Sequence, residues 1–308
     1  MRIVVSGGAG FIGSQVADAY LELGHEVLIV DNLSTGVRAN ISPRARLIEA
    51  DIRSDAAAKA VLDFAPEAMN LHAAQIDVRR SVSEPRLDVD TNVGGLLNLL
   101  EAGRKGGKLA RVVYAASGGS MYGDTTVVPT PETEPAAPVS PYGVSKYACE
   151  LYLGCYRAMH GLHHVALRYA NVYGPRQNPH GEAGVVAIFA ERLLHGRPCT
   201  IYGDGGQTRD FVFSGDVVKA NVLALTTPYA GGVNIGTGVE TDINQIYALL
   251  AKHVGVDQPA TKAPGKPGEQ RVSVLSNGRA REVLRWEPTF DVDHGLAATI
   301  AWYRAQVR

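Results

Sequence analysis

The stretch Gly7-Gly8-Ala9-Gly10-Phe11-Ile12-Gly13 constrains this chain more than any other. It follows a short apolar run, Ile3-Val4-Val5, that reads as a buried strand. It opens a helical pattern over residues 11–23 that Gly24 closes. Glycines here permit a tight turn and let the backbone approach a pyrophosphate, while the N–H groups and dipole of the following helix face the anion. A glycine-rich turn without a ligand could show the same spacing. The strand before it, the helix after it and Asp31 at the end of a second apolar run (27–30) favour a dinucleotide site. A carboxylate at that place accepts hydrogen bonds from both ribose hydroxyls and repels a 2′-phosphate. The residues after it, Asn32-Leu33-Ser34-Thr35-Gly36, bring no arginine. The expected cofactor is NAD rather than NADP.

The rest of the first half repeats the rhythm. Apolar runs at 46–49, 68–72, 111–115 and 164–167 alternate with helical patterns, which implies a parallel sheet covered on both faces. After about Asn171, Gly, Pro and polar residues increase, and short strands and helices follow, with a Pro/Gly-rich loop at 259–268. The expected fold class is α/β: a Rossmann-type doubly wound sheet over 1–171, and a smaller mixed α/β substrate lobe over 172–308. Residues 214–227, which hold a helical pattern at 216–225, are expected to pack back on the first lobe.

A second signal lies in Ser140-Pro141-Tyr142-Gly143-Val144-Ser145-Lys146. A phenol is a poor base near neutrality, with an ordinary pKa of about 10. A lysine four residues later on a helix shares its face, and its ammonium is expected to favour the phenolate. Tyr-x-x-x-Lys also arises by chance on amphipathic helices; here it follows a dinucleotide loop.

These residues, with Asp51-Ile52, Leu71-His72-Ala73-Ala74-Gln75, Asn92 and Ser117-Gly118-Gly119, resemble the extended short-chain dehydrogenase/reductases. The stretches 168–176 and 203–212 resemble the nucleotide-sugar branch of that family, and within it the chain looks most like the UDP-hexose 4-epimerases. The resemblance runs nearly end to end. It implies that Gly7, Gly10, Phe11, Ile12 and Gly13 hold the pyrophosphate, that Asp31, Asn32, Thr35 and Gly36 hold the adenosine ribose, and that Asp51 and Ile52 flank adenine. Leu71, Ala73, Ala74, Gln75, Asn92, Tyr142, Lys146 and Tyr169 would lie along the rest of the cofactor. Ser117, Asn171, Glu182, Ala183, Thr200, Tyr202, Arg209, Lys266, Glu269 and Ser273 would meet a UDP-sugar. A guanidinium at 209 suits a diphosphate in its own right, whereas Lys266 can neutralise phosphate but not grip it bidentately.

The implied chemistry is interconversion of UDP-glucose and UDP-galactose by transient oxidation at C4. Tyr142 would act as base and acid, Lys146 as its tuner and Ser117 as a hydrogen-bonding partner of the same sugar oxygen. The residues after Ser117 are Gly118, Gly119, Ser120 and Met121, with no carboxylate until Asp124. An elimination needs an additional acid and base, so a dehydratase reading loses its chemistry. The Ser117–Tyr122 spacing is one residue longer than in the best-known epimerases, which leaves Ser120 as a stand-in. Aligning onward from Lys266, Ser273 falls where the family limits bulk at the sugar's C2. A small residue there implies that the N-acetylated pair, UDP-GlcNAc and UDP-GalNAc, is accepted too. Alternatives are an epimerase of UDP-glucuronate, a nucleotide-sugar reductase or dehydrogenase, which Asp31 disfavours, and an NAD-sensing scaffold, which would need neither Tyr142 nor Lys146.

The chain has 308 residues, 45% of them hydrophobic, and a formal net charge of -1. That charge gives no sign of a general nucleic-acid or membrane surface. No apolar run nears the roughly 20 residues of a membrane helix, and the first strand begins too early to leave room for a signal peptide. Cys149, Cys155 and Cys199 have no metal spacing and suit free thiols in a reducing cytoplasm. His25, His163 and His164 read as structural, and Arg79, Arg80 and Arg86 as a solvated patch. No metal is expected. A homodimer through the two helices around residues 96–100 and 147–156 is implied by the resemblance.

Overall fold

The structure, a computed structural model, describes residues 1–180, 184–265 and 270–306. Strands β1 (Arg2–Ser6), β2 (Glu26–Asp31), β3 (Arg46–Glu49), β4 (Ala68–Leu71), β5 (Arg111–Ser117) and β6 (His163–Tyr169) form where the apolar runs lie. Between them stand helices α1 (Phe11–Glu22), α2 (Asp55–Phe64), the short α3 (Val78–Ser83) and α4 (Pro85–Val89), α5 (Gly95–Lys105) and α6 (Pro141–His160). One π-helical turn, Asp90–Gly94, joins α4 to α5. Then follow β7 (Asn171–Tyr173), α7 (Val185–Leu194), β8 (Thr200–Tyr202), β9 (Thr208–Arg209), β10 (Phe211–Phe213), α8 (Ser214–Ala224) and β11 (Gly231–Ile235). The chain finishes with β12 (Thr241–Asp242), α9 (Ile243–Val254), β13 (Thr261–Ala263), β14 (Val272–Ser273), α10 (Gly278–Leu284) and α11 (Val292–Gln306).

Seven strands make one wholly parallel sheet in the order β11-β6-β5-β4-β1-β2-β3. Both faces are covered, which is why the central strands β1, β2 and β5 carry continuous apolar runs rather than alternating ones. On one face Val16, Tyr20, Val217 and Trp286 close over Ile3, Val5 and Ile29. On the other Val61, Leu99, Leu100 and Leu153 close over Val4, Leu28 and Met69. The strand order reverses at β1, between β2 and β4, so a crevice opens beyond the carboxyl ends of β1 and β4. The backbone N–H groups of His72 and Ala73 donate to the Ser6 carbonyl at 3.0 and 3.1 Å, which fixes one wall of that crevice.

The expected lobe boundary at 171/172 is too simple. Helix α8 packs on α1, and the chain then continues into the large sheet: β11 pairs in parallel with β6. Trp286, after α10, is fully buried in the first core and donates from Nε1 to the Asp216 carbonyl at 2.8 Å. Residues 231–235 and 278–286 therefore belong with the sheet. Without β11, the outer edge of β6 would present unpaired backbone groups. The Pro/Gly-rich loop expected over 259–268 also contains strand β13, paired with β8. The second lobe has its own core, in which Phe189, Tyr247, Leu250, Leu296 and Ile300 meet between α7, α9 and α11. Among the described residues, no helix is long and apolar enough to cross a membrane.

Candidate active site

The β1–α1 turn is built as a phosphate cradle. Gly7 has φ +71°, and a Cβ there would lie 2.7 Å from the Ala73 nitrogen. A Cβ on Gly13 would lie 2.3 Å from the Gly7 carbonyl oxygen. Neither place tolerates a side chain without moving backbone. Gly10 caps α1 with no side chain to satisfy the helix's first N–H groups, so those groups are left for an anion. Asp31 ends β2 and is buried; its carboxylate accepts from the Ala9 N–H at 2.9 Å and the Leu33 N–H at 2.8 Å. A Cβ on Gly36 would stand 2.9 Å from that carboxylate. Asn32 and Thr35 are exposed beside it. Asp51 is gripped by Arg53 through two hydrogen bonds of 2.9 and 2.7 Å, which hold its carboxyl below the usual range, and Ile52 is buried against Gly95. Leu71 ends β4, and Ala73 stands in the crevice wall described above, with Ala74 next in the chain. The donor set and the cradle fit a dinucleotide.

Helix α6 starts where local chemistry starts it. The Ser140 hydroxyl accepts from the Gly143 N–H at 3.1 Å, and Pro141 occupies the first turn, where its missing N–H costs nothing. Tyr142 therefore sits in the first turn of α6 and Lys146 one turn on. Ser117, at the carboxyl end of β5, stands close enough to Tyr142 to favour its phenolate. The Ser120 hydroxyl is buried without a partner. Lys146 is 4% exposed, and its ammonium donates to the Ala115 carbonyl at 2.9 Å while standing 5.9 Å from the Tyr142 ring centre.

The expectation that Lys146 brings the phenol's pKa down does not hold for this geometry. Burial pushes Tyr142 up to about 12; Ser117 opposes it and Asp88 adds to it. Burial also pulls Lys146 down to about 8, with Cys149 and Asp88 pulling the other way. Desolvation outweighs the mutual attraction of the two groups because the ammonium is turned toward the Ala115 carbonyl.

Behind this pair lies a buried polar cluster without a short sequence signature. Asp88, 1% exposed, accepts from Gln75 Nε2 at 2.9 Å, Asn92 Nδ2 at 3.2 Å and Ser145 Oγ at 2.6 Å. Asn92 also donates to the Gln75 carbonyl and accepts the Gln75 N–H at 2.8 Å. Gln75 and Asn92 thus hold the cofactor-side segment in shape. A second cluster joins the Tyr169 hydroxyl to His72 Nε2 at 3.2 Å and to Asn221 Nδ2 at 2.8 Å, and continues through Asn70 to Tyr20. Burial, with Lys146 nearby, pushes His72 down to about 3, so it is neutral.

On the substrate side, β14 runs beside β9 and sets Ser273 opposite Arg209, while Asn171 begins β7. A Cβ on Gly119 would lie 3.9 Å from both Asn171 Oδ1 and Ser273 Oγ, with nothing closer. Gly119, Asn171 and Ser273 therefore converge on open space next to Ser117. Thr200 and Tyr202 lie on β8, with the Thr200 hydroxyl bonded to that of Thr261 at 3.0 Å. Glu182, Ala183, Lys266 and Glu269 lie outside the described residues. No group of three or more His, Cys, Asp or Glu among the described residues could hold a metal.

A dinucleotide cradle at the switch point of a parallel sheet, facing a Ser–Tyr–Lys arrangement, defines a nicotinamide-dependent enzyme. The pattern of the NAD dependent epimerase/dehydratase family matches residues 3–236, and the chain belongs to that family. It is 45% identical over 311 residues to a UDP-glucose 4-epimerase of Mycolicibacterium smegmatis, covering 99% of each chain. Its structure superposes on the crystal structure of a UDP-glucose 4-epimerase from Thermotoga maritima with UDP-glucose (TM-score 0.97, 44% identity, 100% of each chain). It also matches the Thermus thermophilus UDP-glucose 4-epimerase in complex with NAD (TM-score 0.92, 42% identity, 99% of each chain).

The buried Lys146 has a stability signature. Its pKa is about 8 when folded and 10.5 ordinarily, so between these values the unfolded chain binds more protons and stability rises with pH. Buried Cys149 and Cys199 oppose this above their ordinary pKa of 9.0, and buried tyrosines above 10.0. Denaturant unfolding of the protein and of Lys146→Met, compared from pH 8 to 9, should show that rise in the wild type and lose it in the variant. Parallel curves would refute the assignment.

Proposed function

We propose that this protein is a UDP-hexose 4-epimerase that interconverts UDP-glucose and UDP-galactose with bound NAD. The observation that carries the reading is the placing of Ser117 beside Tyr142, with the buried Lys146 one turn on, in a site whose next residues after Ser117 are Gly118 and Gly119 rather than acids. When bound, NAD supplies a reversible hydride acceptor and, oxidised, a positive charge. The cradle of Gly7, Gly10 and Gly13 and the carboxylate of Asp31 would hold it. Tyr142 takes the proton of the sugar's 4-hydroxyl and later returns it, and Ser117 orients that oxygen. Because burial holds the phenol near 12, Tyr142 stays proton-loaded at neutral pH until positive charge gathers around it. Lys146 contributes part of that charge. Arg209 holds the diphosphate, and Asn171, Thr200 and Tyr202 hold the rest of the nucleotide. The absence of a carboxylate beside Ser117 favours return of the proton over elimination.

The protein given UDP-galactose and no added cofactor should form UDP-glucose, and Tyr142→Phe should lose about 100-fold or more in kcat while still binding UDP-sugar. Stoichiometric NADH build-up, or no product even with added NAD, would overturn the reading.

The small side chain of Ser273, on β14 beside Arg209, favours acceptance of an N-acetyl group at C2. UDP-GalNAc should therefore turn over as well as UDP-galactose. Ser273→Tyr should cut turnover of the N-acetyl pair by about tenfold or more while sparing the hexose pair. Equal losses on both would contradict this.

A homodimer is the proposed assembly, formed through α5 and α6. Val144, Leu151, Tyr152 and Met159 lie exposed along α6 at helical spacing, and Met159 is 65% exposed. An apolar groove of about 560 Å³ between α4 and α6, lined by Val89, Pro138, Val139 and Val144, extends that face. Sedimentation should give a dimer for the wild type and a monomer for Leu151→Glu; a wild-type monomer would refute it. A cytoplasmic setting and a place in galactose metabolism fit the three free thiols and the proposed substrate.

A further inference from the structure

Asp88 is a buried carboxylate next to the reacting pair that no step above uses. It sits on α4, a helix of five residues, yet three donors from three separate segments converge on it: Gln75 after β4, Asn92 in the π-helical turn, and Ser145 on α6. Ser145 is the residue just before Lys146, and its hydroxyl also lies 3.1 Å from the Tyr142 carbonyl. Asp88 is thereby fastened to the turn of helix that carries both reacting side chains. π-helical turns concentrate at functional sites, and this one aims Asn92 inward at the same carboxylate. A buried carboxylate with three donors makes a fixed negative charge that solvent does not screen.

We propose that Asp88 is a positioning residue for the Tyr142–Lys146 pair: it locks the first turns of α6 to the segment 75–77 and presents the negative charge that faces both side chains. That charge raises the phenol's pKa and also that of the ammonium, which burial otherwise depresses. The effect is to keep both protons in place until substrate and cofactor are bound. Other titratable and charged groups around it are accounted for. On α6, Cys149 has its thiol pushed up by burial, and Glu150 is paired with Arg168 at 2.8 Å. Tyr114 on β5 lies under the Lys146 ammonium, its own pKa raised by burial. On α3, Arg80 pairs with Glu84, and Arg86 of α4 faces Asp90 of the π turn, all at the surface.

The test is Asp88→Asn, which removes the charge with little change of shape. Its amide oxygen can still accept from Gln75 and Asn92, and the Ser145 hydroxyl can accept from its NH₂ group. The Lys146 ε-carbon signal is followed by NMR in ¹³C-lysine-labelled protein and assigned by its loss in Lys146→Arg. The titration midpoint should fall below its wild-type value near 8. In the pH dependence of kcat/KM, both limbs should move to lower pH. An unmoved Lys146 midpoint, with activity merely reduced, would make Asp88 structural and overturn the proposal. The NMR arm needs no turnover, so its outcome stands apart from that of the epimerase reading, on which only the kinetic arm rests. Should Asp88→Asn not fold, Ser145→Ala strips one hydrogen bond and leaves the charge. A Lys146 midpoint at or above the wild-type value then supports the proposal, and a fall overturns it.

Discussion

The Gly7 carbonyl and the backbone of Gly13 meet where no side chain can stand, a Cβ on Gly13 falling 2.3 Å from the Gly7 oxygen. That contact lets α1 start immediately beyond β1 and point its unsatisfied N–H groups into the crevice at the switch point. Once α1 is docked there, α8 packs on it, and α8 brings β11 to the far edge of the sheet and Trp286 into the core. The cofactor cradle and the closure of the first lobe thus follow from one close approach. Asp216 secures the return: it takes the Thr289 and Phe290 N–H groups at 2.9 and 3.1 Å, which fixes the path toward α11.

The second organising feature is the start of α6. A serine cap and a proline set the first turn, so Tyr142 and Lys146 share a face and reach Ser117 and the Ala115 carbonyl on β5. The resulting site is poorly solvated. Both side chains are shifted toward their neutral forms, the phenol upward and the ammonium downward. Such a site gains little from the pair alone and responds strongly to charge brought in by ligands. That suits an enzyme which must hold a keto intermediate without releasing it, since proton movement is then tied to occupancy.

What the sequence showed and what it hid divide along physical lines. The six strands of the first half and α1 are legible because each is a local pattern: an apolar run, a glycine stop, a glycine turn. Tyr142, Lys146 and Asp31 are legible because short spacings carry their chemistry. Asp88, Ser145, His72 and Asn221 are not, since each needs at least one partner between 13 and 151 residues away. β11 was hidden for a related reason. Gly231-Gly232-Val233-Asn234-Ile235 looks like the glycine-rich second half, and only pairing with β6 makes it part of the sheet. The expected effect of Lys146 on Tyr142 failed because spacing along a helix gives proximity but not burial, and here burial is the larger influence.

The central claim is that oxidation at C4 is reversed within one site, and the fate of the hydrogen on C4 tests it most directly. UDP-galactose carrying deuterium at C4, turned over in ordinary water and analysed by NMR, should give UDP-glucose with the deuterium still at C4. Replacement of that deuterium by solvent hydrogen would contradict the account.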